Sequence, residues 1–135
     1  MTITIVFDNN IAPSVARSLH PHVERLGHVA VHLKDRFPQD IPDLDLFRAL
    51  APARSHILVT VDRKQTKRTA EREALLASGI LGAYLPPSVE KWRPARQAAL
   101  VLWHFEDLLL RRRSQAGGLI LFPASFGPRA VFKRL

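Results

Sequence analysis

The chain has 135 residues, enough for one domain with a sizeable core, and its hydrophobic fraction of 47% is that of an ordinary globular protein. It has no cysteine, which excludes disulfides, thiolate metal sites and a cysteine nucleophile and suits a reducing compartment. Twenty Lys and Arg against twelve Asp and Glu leave a formal charge of +8, a balance that favours a polyanionic partner such as nucleic acid, or an acidic protein.

The first element is Thr2-Ile3-Thr4-Ile5-Val6-Phe7, a β-branched run that leads directly into Asp8-Asn9-Asn10. Ile3, Ile5 and Phe7 face one side and Thr4 and Val6 the other, the pattern of a short strand covered on both faces. Pro13 suits the first turn of a helix, where its missing N–H costs nothing. Helical spacing continues through Val15, Ala16 and Leu19, and Pro21 is expected to break or kink the segment before Val23–Leu26. Gly27 closes it, and His28–Leu33 is a second strand, parallel to the first because the crossover is long.

Lys34–Pro42 reads as a loop, and Asp43 stands where a helix N-cap belongs, ahead of Leu44, Leu46, Phe47 and Leu50. Pro52 ends that helix. Ile57–Val61 is the most strand-like run in the chain, and Asp62 follows it as Asp8 follows the first strand. The basic stretch Arg63–Arg72 passes into a helix over Ala70–Ser78 closed by Gly79. Leu81–Leu85 is a short strand. Pro94 opens a long helix whose buried stripe is Ala98, Val101, Leu102, Phe105, Leu108 and Leu109, and which ends in Arg111-Arg112-Arg113. Gly117-Gly118 turns into a strand at Leu119–Phe122.

Strands alternating with helices predict an α/β, three-layer domain with a central, mainly parallel sheet of about five strands. The chain reads as a single domain over residues 1–135, with its core at about 3–122 and a basic C-terminal tail at 123–135. The N-terminus has no basic region followed by an apolar core. The apolar run Ala98–Leu110 is interrupted by His104, Glu106 and Asp107, so a soluble cytoplasmic protein without a membrane partner is expected.

In a parallel sheet the carboxyl ends of the strands lie along one edge, where such folds bind ligands. Asp8 and Asp62 belong to that edge, and Asp43 can approach it. Three carboxylates held close repel one another unless they are protonated or bind a cation, and a hard ion such as Mg²⁺ or Mn²⁺ takes such oxygen ligands. A bound divalent ion also reconciles an acidic cluster with the attraction of a basic surface for phosphates. It would polarise a phosphoryl oxygen and activate water while Arg and Lys hold the backbone, which is the logic of a metal-dependent nuclease.

The order and spacing of Asp8-Asn9-Asn10, Gly27-His28-Val29, His32-Leu33, Pro42-Asp43-Leu44-Asp45 and Val59-Thr60-Val61-Asp62-Arg63 resemble the PIN-like domains of the VapC-type toxin and Mut7-C-related group, from about Ile3 to Trp103. The resemblance implies a PIN-like fold, Mg²⁺- or Mn²⁺-dependent ribonuclease activity on an RNA substrate, and neutralisation by a cognate antitoxin. It also implies that a homodimer is a common state. Carried over by position, Asp8, Asp43 and Asp62 are the catalytic, metal-binding acids, and Asn10 and Thr60 orient them. Asp45 is the alternative to Asp43, and Glu71 and Glu73 are candidates for a further acid.

Arg63, Lys64, Lys67, Arg68 and Arg72 follow Asp62 and are the best candidates to bind RNA phosphates. Trp92 and Trp103 read as packing residues. The rival expectation is a non-catalytic PIN-like module that binds RNA or protein through its basic surface. A small-molecule phosphohydrolase on a similar sheet is a third.

Overall fold

The computed structural model of the chain describes residues 1–38, 40–50, 52–61 and 69–135. In chain order it contains β1 (Thr4–Phe7), α1 (Pro13–Glu24), β2 (Val29–His32), α2 (Asp43–Ala49), β3 (His56–Thr60), α3 (Thr69–Ser78), β4 (Leu81–Tyr84), α4 (Pro87–Glu90), α5 (Pro94–Ser114), β5 (Gly118–Leu121) and β6 (Lys133–Arg134). Among the described residues the strands form one sheet in the order β2-β1-β3-β4-β5-β6. β1 to β5 are parallel, and β6 runs antiparallel to β5 at the edge. The domain is α/β, as the alternating pattern predicts, with one strand more than expected.

The pleat sorts the side chains into two cores. Ile3, Ile5, Phe7, Ile57, Val59, Leu81 and Ala83 pack on the face covered by α1 and α5, where Val15, Leu19, Val23, Val101 and Leu108 meet them. Val6, Leu58, Tyr84 and Leu119 point the other way, against Leu46 and Phe47 of α2, Leu50 just after it and Leu75 of α3. Helix, sheet and helix thus make three layers, because strands apolar on both faces must be covered twice. Gly82 is closely surrounded: an added Cβ would sit 2.9 Å from Leu119 Cδ2 and 3.2 Å from Leu75 Cδ2, so those side chains would have to shift.

Two departures from expectation have clear causes. α1 runs through Pro21 without ending. Its apolar stripe of Val15, Ala16, Leu19 and Val23 is buried on both sides of the proline, and that packing outweighs one lost backbone hydrogen bond. The segment after Phe122 also returns to the core. Phe132 stacks edge-on against Phe122 with centroids 4.7 Å apart, and Leu135 N–H donates to Leu119 O at 2.9 Å. Trp92 packs partly buried against the core and carries the Arg96 guanidinium 3.9 Å above its ring. Trp103, in contrast, is 58% exposed and leans on Phe126. Among the described residues no helix is long and apolar enough to cross a membrane.

Candidate active site

The sheet order puts β2 on one side of β1 and β3 on the other, so the crossovers leave β1 in opposite directions. The carboxyl ends of β1 and β3 therefore flank the switch point at which open α/β sheets form a crevice. Phe7 pairs with Val59, and the ladder continues one step further as Asp8 N–H donates to Val59 O at 2.9 Å. That step sets Asp8 beside Thr60, the last residue of β3.

Hydrogen bonds fix the Asp8 carboxylate from both sides. Thr60 Oγ1 donates to Asp8 Oδ2 at 2.9 Å, and the Asn9 backbone N–H donates to Oδ1 at 2.7 Å. Asn10 lies beside the same pair: its Nδ2 is 3.4 Å from Thr60 Oγ1, and its Oδ1 is 3.5 Å from Val61 N. Thr60 is fully buried, whereas Asp8 is half-buried and reaches the surface. A rigid donor beneath a partly exposed carboxylate is an arrangement that presents the acid outward in one orientation.

The turn after Asp8 is braced from β2. Ile11 N–H donates to Asp8 O at 3.0 Å, and the carbonyl of Ile11 lies 2.6 Å from His32 Nε2. His32 Nδ1 accepts from Lys34 N–H at 3.1 Å, so the ring carries its proton on Nε2 and donates to Ile11. Fully buried, His32 thus positions the Asp8–Asn10 turn. Its part, and that of the Asn9 N–H, cannot be read from composition, since an alternating strand ending in histidine has the same pattern with or without such a partner.

Asp43 is the first residue of α2. A crossover helix between parallel strands runs against them, so the start of α2 lies toward the carboxyl edge. The same reasoning applies to α3, whose first turns carry Glu71, Arg72 and Glu73. Asp45, Arg72 and Glu73 are exposed. Asp62, Arg63, Lys64, Lys67 and Arg68 lie outside the described residues. Of the expected site the structure therefore brings together Asp8, Asn10 and Thr60. Among the described residues there is no group of three His, Asp or Glu side chains able to hold a metal.

A family model described as a PIN like domain matches residues 3–86, which span β1 to β4 and every candidate acid. No curated protein and no solved structure matches the chain.

Proposed function

We propose that this chain, which belongs to the PIN-like domain family, is a metal-dependent endoribonuclease that hydrolyses RNA phosphodiesters. The observation that carries this reading is the Asp8 carboxylate, held by Thr60 Oγ1 at 2.9 Å and by the Asn9 N–H at 2.7 Å at the switch point of the sheet. Such a carboxylate fits a hard divalent cation: its donors are oxygens, and a neighbouring hydroxyl sets its orientation. Asp8, Asp43 and Asp62 would hold Mg²⁺ or Mn²⁺, which when bound supplies a Lewis acid for a phosphoryl oxygen and lowers the pKa of water.

The chain's own residues do the rest. Thr60 and Asn10 keep Asp8 aimed at the crevice, and Asp45, Glu71 and Glu73 are the reserve from which a further acid would come. Arg63, Lys64, Lys67, Arg68 and Arg72 hold the phosphate backbone, adding to the pull of a +8 surface. In the same reading the protein is the toxin of a type II toxin–antitoxin pair. It acts in the cytoplasm, is silenced by a cognate antitoxin, and forms the homodimer common in that group.

The test is cleavage of a mixed RNA substrate by purified protein with Mn²⁺ or Mg²⁺. Cutting should disappear with EDTA and in Asp8→Asn and Asp62→Asn, while both variants keep the wild-type unfolding midpoint. RNA binding without cleavage that weakens steeply with salt, ignores EDTA and survives Asp8→Asn would instead establish the binding module.

A further inference from the structure

The three arginines that end α5 meet three different environments. Arg111 Nη2 donates to Phe132 O at 3.0 Å. Arg112, only 3% exposed, donates from Nη1 to His56 O and Gly79 O, each at 3.0 Å, and from Nη2 to Gln115 O at 3.1 Å. All three acceptors are neutral carbonyls, its Nε has no hydrogen-bond partner, and among the described residues no carboxylate pairs with it. Arg113 reaches back across the fold, with Nη2 3.0 Å from His28 Nε2.

Arg112 and Arg113 line a pocket of about 310 Å³ together with Arg54, Met1, Ser114, Gln115 and Ala116. Among the described residues that line it there are three arginines and no Asp or Glu. Burial, and then the charge of Arg54, push the Arg112 pKa down, because the guanidinium is withdrawn from water and lies near a second cation. A second mismatch lies next to it. Ile3 N–H donates to His28 Nδ1 at 2.9 Å, so the neutral ring carries its proton on Nε2, the nitrogen that Arg113 approaches. Two donors face each other there, and an acceptor with negative charge would satisfy both.

We propose that this pocket, at the amino-terminal edge of the sheet, binds a phosphate group, either free or at the end of a nucleotide. Arginine forks match the oxygens of phosphate in pairs, and a tetrahedral dianion can accept from several forks at once. The site is separate from that of Asp8. His56, whose carbonyl Arg112 holds, begins β3 and Thr60 ends it, which puts about 13 Å of strand between the two edges. Arg112 and Arg113 also lie beyond the residues that match the family model.

The experiment titrates inorganic phosphate, and separately a nucleoside 5′-monophosphate, into the full chain by calorimetry, with chloride at matched ionic strength as the control. Saturable binding is expected, weakened about tenfold or more by Arg54→Gln and by Arg113→Gln, the loss of one charge-assisted hydrogen bond each. Both side chains are exposed, so these variants should keep the wild-type unfolding midpoint without phosphate. Equal affinity for the two probes identifies free phosphate as the ligand chemistry, and tighter binding of the monophosphate identifies a nucleotide. Absence of saturable binding by either probe overturns the proposal. So does binding unchanged in the Arg54→Gln, Arg113→Gln double variant, or binding abolished by Asp8→Asn, which would move the ion to the opposite edge.

Discussion

Thr60 Oγ1 donates to Asp8 Oδ2 at 2.9 Å although 52 positions separate the two residues in sequence. The bond joins the ends of two neighbouring parallel strands, so it exists only when β1 and β3 are in register. The catalytic reading of Asp8 and the integrity of the sheet centre are tied together at this point.

Thr60→Val removes the donor and keeps the shape. Thr60 is fully buried, so the valine methyl occupies the space of the hydroxyl and the fold should persist. Mn²⁺ affinity, measured by calorimetry, should fall about 10- to 100-fold as the carboxylate loses its orienting partner. Cleavage should fall with it. Wild-type affinity in this variant would remove Thr60 from the site.

Gly82→Ala tests the tightness of the second core. The new methyl meets Leu119 at 2.9 Å, Leu75 at 3.2 Å and Tyr84 at 3.3 Å, all on one face of β4 and its neighbours. Overpacking of this kind should cost about 1–3 kcal/mol in urea unfolding. An unchanged midpoint would mean that the leucines yield freely.

Arg112→Met should be far more damaging than Arg113→Gln. The first strips the donor from the carbonyls of His56, Gly79 and Gln115 at the ends of three segments. Leaving such acceptors without a partner should cost on the order of 3 kcal/mol. Arg113 is exposed, and its replacement should stay within about 1 kcal/mol of wild type. Equal unfolding midpoints for the two variants would count against this role of Arg112.

Acid should weaken the fold through His28. Burial first, and then the charge of Arg113, lower its pKa from the ordinary 6.5, while the unfolded chain keeps the ordinary value. Below about 6.5 the unfolded state therefore binds the proton more readily, and stability is lost as pH falls toward and through the folded-state pKa. His28→Gln keeps an acceptor for Ile3 N–H but cannot titrate. Its unfolding midpoint should fall less than that of wild type between about pH 7.5 and 5.

Much of the fold is legible in the residues because periodicity is local. Ile3-Thr4-Ile5-Val6-Phe7 and Ile57–Val61 announce strands, and Pro13 and Pro94 announce helix starts that the structure places at those residues. α1 continues past Pro21 because the decision there belongs to the packing of Leu19 and Val23, which local spacing does not weigh. β6 has two residues and no period to detect. Its place is set by Phe132 reaching Phe122 from outside the predicted core.

The candidate site divides in the same way. By itself the sequence determined that the chain alternates strand and helix, carries a surplus of positive charge, and places an aspartate after each of two strongly apolar runs, at Asp8 and Asp62. Those are properties of neighbouring residues and of composition. Only the tertiary structure decided that β1 and β3 lie side by side, that Thr60 and the Asn9 N–H hold Asp8, and that His32 braces the turn. It also decided that Arg112 turns inward to three carbonyls at the opposite edge, when the run Arg111-Arg112-Arg113 looks uniform in sequence. Partners 52 or 56 positions apart share no local signal, because what selects them is the register of strands that pack as one sheet.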